Sequence, residues 1–165
     1  MNMQPAKRGI LSRQEMKAER ERLRRVGESV VFTNGCFDIV HAGHVSTMAF
    51  AKAQGDILIV GLNTDASVRR LKGDKRPVVA EQHRGPLIAA LKPVDFVVFF
   101  DETEVTDLVN ELKPDVLVKG ADRADNIVGR EIVEAYGGKV VAAPFVQGLS
   151  TTSIIEKILA AFGKG

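Results

Sequence analysis

A chain of 165 residues, 45% hydrophobic and 27% charged, is sized for one globular domain with its own core. A formal net charge of +2 is too small to suggest nucleic acid or a membrane surface as partner, and no apolar run approaches the roughly 18 residues of a spanning helix. No apolar signal core follows the N-terminal residues 1–8, and the single cysteine, Cys36, excludes an internal disulfide framework and fits a reducing, cytoplasmic setting.

In chain order, residues 1–11 read as a loose leader and 12–25 as a highly charged helix. Ser12 and Glu15 have the spacing of a capping box, and Glu21 and Arg25 that of an i,i+4 pair. The basic side of this helix (Arg20, Arg22, Arg24, Arg25) reads as a solvated face. Residues 1–28 are therefore expected to be leader and helix, ahead of a domain over 29–165. The run 30–33 is a β-branched and aromatic strand closed by the turn Asn34-Gly35; His41-Ala42-Gly43-His44 then leads into a helix over 45–54. Gly55-Asp56 turns the chain into 57–62, a continuous apolar run typical of a parallel strand covered on both faces. A short helix capped by Asn63-Thr64-Asp65 follows, then a basic loop over 69–77 and a helix over 80–91, weakened by Gly85-Pro86. Strands are expected at 94–100, 116–118 and 139–143, helices at 103–112, 130–136 and from Ser153 to about 162, the last with a Ser153/Glu156 capping box. The alternation predicts an α/β, Rossmann-like fold: one doubly wound domain on a mostly parallel, five-stranded sheet, with ligands at the carboxyl ends of the strands.

A strand, a glycine turn and a helix start gather backbone N–H groups and a positive dipole end at one point, with two imidazoles at i and i+3 on one side of the first turn. Such a site suits a polyphosphate. The same histidines also fit idle helix-start residues or a metal pair, although H-E-x-x-H is absent and no nearby Cys or third His completes a zinc set. Gly35 reads both as a turn and as room for a ligand, Asp38 as a cap, Phe37 as core, and Cys36 as a small buried residue, not a nucleophile. Lys72 lies in a glycine-containing loop, Lys119-Gly120-Ala121-Asp122 follows a strand end, and Ser150-Thr151-Thr152 offers hydroxyls and free N–H groups at a helix start.

The stretch Gly35-Cys36-Phe37-Asp38-Ile39-Val40-His41-Ala42-Gly43-His44 resembles the G-x-F-D-x-x-H-x-G-H signature of the cytidylyltransferase-like nucleotidyltransferases, and the likeness runs from about residue 29 through most of the chain. Within that superfamily it looks closest to the D-glycero-β-D-manno-heptose 1-phosphate adenylyltransferases, which serve ADP-heptose and lipopolysaccharide synthesis. The resemblance implies catalytic roles for His41, His44 and Lys72. It implies nucleotide contacts for Asn34, Gly35, Phe37, Asp38, Gly43, Arg84, Lys119, Gly120, Asp122, Ser150, Thr151 and Thr152. Asp38 would share in binding Mg²⁺, mostly through the nucleotide phosphates, while Lys75 and Arg76 are weaker candidates and Gly85-Pro86 departs from the helix formers usual beside Arg84.

The implied reaction transfers AMP from ATP to a sugar 1-phosphate, with the sugar phosphate made by a separate sugar kinase; the resemblance also allows a homodimer. Glycerol-3-phosphate cytidylyltransferases carry Arg-Thr-Glu-Gly-Ile-Ser-Thr-Thr before the last helix, whereas residues 145–152 here read Phe-Val-Gln-Gly-Leu-Ser-Thr-Thr. The missing arginine speaks against CTP and glycerol 3-phosphate, which stay as the alternative, beside an inactive nucleotide-binding domain. P-loop and hydride-transfer enzymes are disfavoured, since G-x-x-x-x-G-K-[ST] and G-x-G-x-x-G are both absent.

Overall fold

The computed structural model describes residues 8–120, 127–144 and 146–163. Six strands form one parallel sheet: β1 (Gly9–Leu11), β2 (Val30–Gly35), β3 (Ile57–Asn63), β4 (Phe96–Phe100), β5 (Val116–Gly120) and β6 (Lys139–Ala143), in the order β1-β4-β3-β2-β5-β6. The helices are α1 (Arg13–Arg25), α2 (Ala42–Lys52), α3 (Asp65–Lys72), α4 (Glu81–Ala89), α5 (Thr106–Leu112), α6 (Arg130–Ala135) and α7 (Thr151–Phe162). The doubly wound α/β expectation holds, with a sheet of six strands instead of five. The extra strand comes from the expected leader: Gly9–Leu11 lies parallel to Phe96–Val98 at the sheet edge. Three residues carry too little pattern to reveal a strand, and only the open edge of β4 makes one of them.

From β2 the chain winds outward through β3 and β4, then crosses back to place β5 on the other side of β2. Strand order reverses between β2 and β5, which parts the connections at their carboxyl ends and leaves a crevice there. Two apolar layers sandwich the sheet. Val30, Phe32, Ile59, Phe96, Val98 and Leu117 face α1, α5 and α6 through Met16, Leu23, Leu108, Leu112 and Val133. Val31, Leu58, Val60, Leu62, Val97 and Val118 face α2 and α4 through Met48, Ala51 and Ile88. Burial on both sides is why these strands read as unbroken apolar runs.

At the amino edge of the sheet, polar groups close what the strands leave open. Asp115 Oδ2 accepts from the N–H of Val30 at 2.7 Å and Asp95 Oδ2 from that of Leu58 at 2.8 Å. Helix α1 starts with the expected Ser12/Glu15 capping box, but its basic side is not simply solvated. Arg20 is 2% exposed and donates to the carbonyls of Leu112 and Lys113 and to Asp115. Those carbonyls end α5 and have no partner within it, so a guanidinium threaded from α1 satisfies them. The expected Glu21–Arg25 pair is replaced by Glu21–Arg24 and Glu19–Arg22 at i,i+3. Helix α4 runs unbroken through Gly85-Pro86. The last helix starts earlier than expected, with Ser150 as N-cap and Ser153, not Glu156, completing the capping box.

Arg20→Met keeps the stem and removes the donors to two buried carbonyls. It should lower unfolding stability by about 2 kcal/mol, read as a shift of the urea midpoint at unchanged slope.

Candidate active site

A cavity of about 740 Å³ opens at the reversal point, over the carboxyl ends of β2, β3 and β5. Its wall takes Asn34, Gly35, Phe37 and Asp38 from the end of β2, and His41, Gly43 and His44 from the start of α2. Lys72 comes from the end of α3, Arg76 from the α3–α4 connection, Lys119 and Gly120 from β5, and Ser150, Thr151 and Thr152 from the start of α7. Of the residues expected from the sequence, Arg84 does not line it, and Asp122 lies outside the described residues.

The histidine turn is built from the backbone outward. His41 is the N-cap of α2, and its Nδ1 accepts from the Gly43 N–H at 3.1 Å. An imidazole that accepts at Nδ1 carries its proton on Nε2, so this contact sets the tautomer and leaves one N–H donor. Gly43 is a steric requirement: a Cβ there would stand 3.0 Å from Cε1 and Nδ1 of His41. The His41 and His44 rings stack at 3.7 Å, and Phe37 meets His44 edge-on at 5.1 Å. Phe37 reaches this place with φ of 43°, a left-handed conformation costly for an aromatic residue, and its ring fills the space where Gly35 lacks a side chain. Burial holds His41 below the usual imidazole range; burial and the neighbouring His41 push His44 down to about 4. Both rings are therefore neutral donors near pH 7, and His44 Nδ1 is buried without a partner among the described residues.

Asp38 has a structural task. Its side chain is fully buried, Oδ1 accepts from the N–H groups of Val78 and Val79 at 2.8 Å each, and Oδ2 pairs with Arg76. Burial alone would raise its pKa; the two N–H groups and Arg76 reverse this and hold the carboxyl below its usual range. Three donors hold the carboxylate in place, and Asp38 lines the cavity beside the histidine turn. No three His, Cys, Asp or Glu side chains converge on a metal position among the described residues.

Arg84, expected to hold phosphate, is fully buried behind the wall. It donates to Val79 O at 2.9 Å, Cys36 O at 2.6 Å and Asp65 Oδ1 at 2.7 Å, and so ties α4 to the β2 turn and the start of α3. Burial pushes the Cys36 thiol up, as suits a packing residue and not a nucleophile. Helix α7 closes the far side: Thr151 Oγ1 donates to Ile39 O at 3.4 Å, while the first-turn N–H groups of α7 lack intrahelical acceptors. Sequence reasoning passed over Asn63, Thr103 and Glu104, which also line the cavity. They belong to no motif; the available signal was position alone, at or just past the end of an apolar strand.

Comparison with known proteins follows this geometry. A family model described as cytidylyltransferase-like matches residues 32–157. The bifunctional protein HldE of Geobacter sulfurreducens is 55% identical over 139 residues, 84% of this chain and 28% of that protein. Its counterpart in Syntrophotalea carbinolica is 49% identical over 157 residues, 94% and 32% of the two. The chain thus spans a third or less of these relatives. Among solved structures, the lipopolysaccharide core biosynthesis protein of Thermoplasma volcanium matches with a TM-score of 0.59 and 32% identity, over 73% of this chain and 98% of that one. Pantoate–β-alanine ligase of Francisella tularensis shares the fold, with a TM-score of 0.65 at 16% identity over 96% and 80%.

Two outcomes test this geometry. His44, with a folded pKa of about 4 against 6.5 unfolded, imposes no penalty above pH 6.5. As pH falls from 6.5 to 4 the unfolded state takes the proton and the folded state does not, so stability should drop by on the order of 3 kcal/mol. His44→Asn should lose that part of the slope in urea unfolding curves taken across this range. Gly43→Ala should displace the His41 ring, whose Cε1 and Nδ1 a Cβ would crowd at 3.0 Å, and lower kcat at least about tenfold in steady-state kinetics.

Proposed function

The chain belongs to the cytidylyltransferase-like family of nucleotidyltransferases, and on that premise we propose that it transfers AMP from ATP to D-glycero-β-D-manno-heptose 1-phosphate, giving ADP-heptose and pyrophosphate. The observation that carries the transfer chemistry is the stacked, neutral histidine pair, set between the starts of two helices. Support for the sugar comes from relatives described as bifunctional HldE and as a lipopolysaccharide core biosynthesis protein, and from the absence of the cytidylyltransferase arginine before Ser150.

In this reading the triphosphate lies along the His41–His44 turn, with Lys72 and the Ser150–Thr152 turn around it. A phosphate oxygen of the acceptor attacks the α-phosphorus; the new P–O bond forms as the bond to the β-phosphate oxygen breaks, and pyrophosphate leaves with that electron pair. Imidazole N–H groups follow the charge as it grows on the phosphoryl oxygens, and no proton has to move. Mg²⁺ bound with the triphosphate would offset its charge, with Asp38 on the cavity wall as the carboxylate to share in holding it, mostly through the nucleotide phosphates. His44 stays uncharged because burial opposes its charge, so it meets the nucleotide as a donor and not as an acid. The acceptor, phosphorylated at C1, is the product of a sugar kinase, and the setting is cytoplasmic.

Purified protein should release pyrophosphate with ATP and the heptose 1-phosphate far faster than with CTP, and should ignore glycerol 3-phosphate. The reverse preference overturns the sugar assignment and leaves nucleotidyl transfer standing. His41→Ala and His44→Ala should each lower kcat about 10²–10³-fold with little change in nucleotide affinity. Near-normal turnover in both folded variants refutes the role given to the pair.

A further inference from the structure

Side chains along a strand alternate between the two faces of the sheet, and this sorts the cavity wall into two sides. In β2, Val30 and Phe32 face α1, α5 and α6, and Asn34 continues that series. In β3, Ile59 faces the same layer and Asn63 falls in register with it; in β5, Leu117 is followed by Lys119. Three polar side chains thus leave adjacent strands on the α5 side, where the loop before α5 adds Thr103 and Glu104. His41 and His44 come from the start of α2, on the opposite face with Phe37 and Met48.

The two sides differ in chemistry. Asn34 Oδ1 is buried and has no hydrogen-bond partner among the described residues, and a buried acceptor left open is costly. Phosphate oxygens cannot donate to it; a hydroxyl can. Among the described residues the cavity wall holds two carboxylates, and Asp38 is neutralised by Arg76 and two N–H groups. Glu104 is exposed to the cavity mouth, where it repels phosphate and accepts from hydroxyls. Among the described residues, Lys119 contributes a cation to this side of the wall, its Nζ donating to the Asn34 carbonyl at 3.5 Å.

Resting on the sugar 1-phosphate reading above, we propose that the α5 side of the cavity is the acceptor subsite. Asn34 and Glu104 accept hydroxyls of a polyhydroxylated sugar, and Lys119 receives its phosphate, which then faces the α-phosphorus held on the histidine side. Asn34 and Lys119 accordingly serve the acceptor and not the nucleotide.

Calorimetric titration of the whole chain with ATP, and separately with D-glycero-β-D-manno-heptose 1-phosphate, tests this. Glu104→Gln and Asn34→Leu should each weaken the sugar phosphate about tenfold or more and leave ATP within twofold. An equal loss of ATP affinity, or no change for either ligand, overturns the subsite. Glu104 is at the surface, so Glu104→Gln decides the matter even if Asn34→Leu does not fold. Failure of the underlying function looks different: the unmodified protein then binds ATP but not the heptose phosphate, and the inference falls before any variant is compared.

Discussion

The site depends on one buried carboxylate. Asp38 has no contact with solvent to offset its charge, so it must collect donors, and it does so from a segment about 40 residues further along the chain: Arg76 and the N–H groups of Val78 and Val79. That tie fixes the end of β2 against the α3–α4 connection. Arg84 repeats it from the other side by holding Val79 O, Cys36 O and Asp65 together. With both ties made, the loop carrying Lys72 and Arg76 stands over the histidine turn as one wall. Partly satisfied, such a network would cost more than an apolar core; fully satisfied, it holds the cavity to a single shape.

Within that frame the histidines are arranged to donate without taking up charge. Burial, mutual stacking and the Gly43 N–H on His41 Nδ1 all favour the neutral ring with a defined tautomer. The strain at Phe37 belongs to the same arrangement, since its left-handed backbone turns the ring against both Gly35 and His44. A donor that is preorganised and uncharged responds to charge appearing in a transition state more than to charge already present in the substrate.

The segment before β2 shows how context reassigns charge. A helix with four arginines on one side reads as a solvated surface, and for most of its length it is one. Arg20 is the exception because α5 ends beneath it with open carbonyls, and α1 packs there through Met16 and Leu23. Neither carbonyl is near it in sequence.

What the sequence determined by itself was local or periodic. Continuous apolar strands alternating with capped helices gave a doubly wound sheet, and the Gly35–His44 motif marked where its ligand belongs. Steric rules within a few residues, such as the room that Gly43 leaves for His41, sufficed for that. Tertiary structure alone decided which charges are free to act. Arg84 reads as a phosphate ligand, yet its partners, one of them 48 residues away, hold it behind the wall, and Asp38 in the motif collects its donors from residues 76–79. Glu104 carries no motif, yet the crossover to α5 brings it to the same wall as Asn34 at the end of β2. Spacing in a sequence can place a side chain on a turn, but its hydrogen bonds are set by what the folded chain packs against it, because burial makes every polar group take a partner wherever one can be reached.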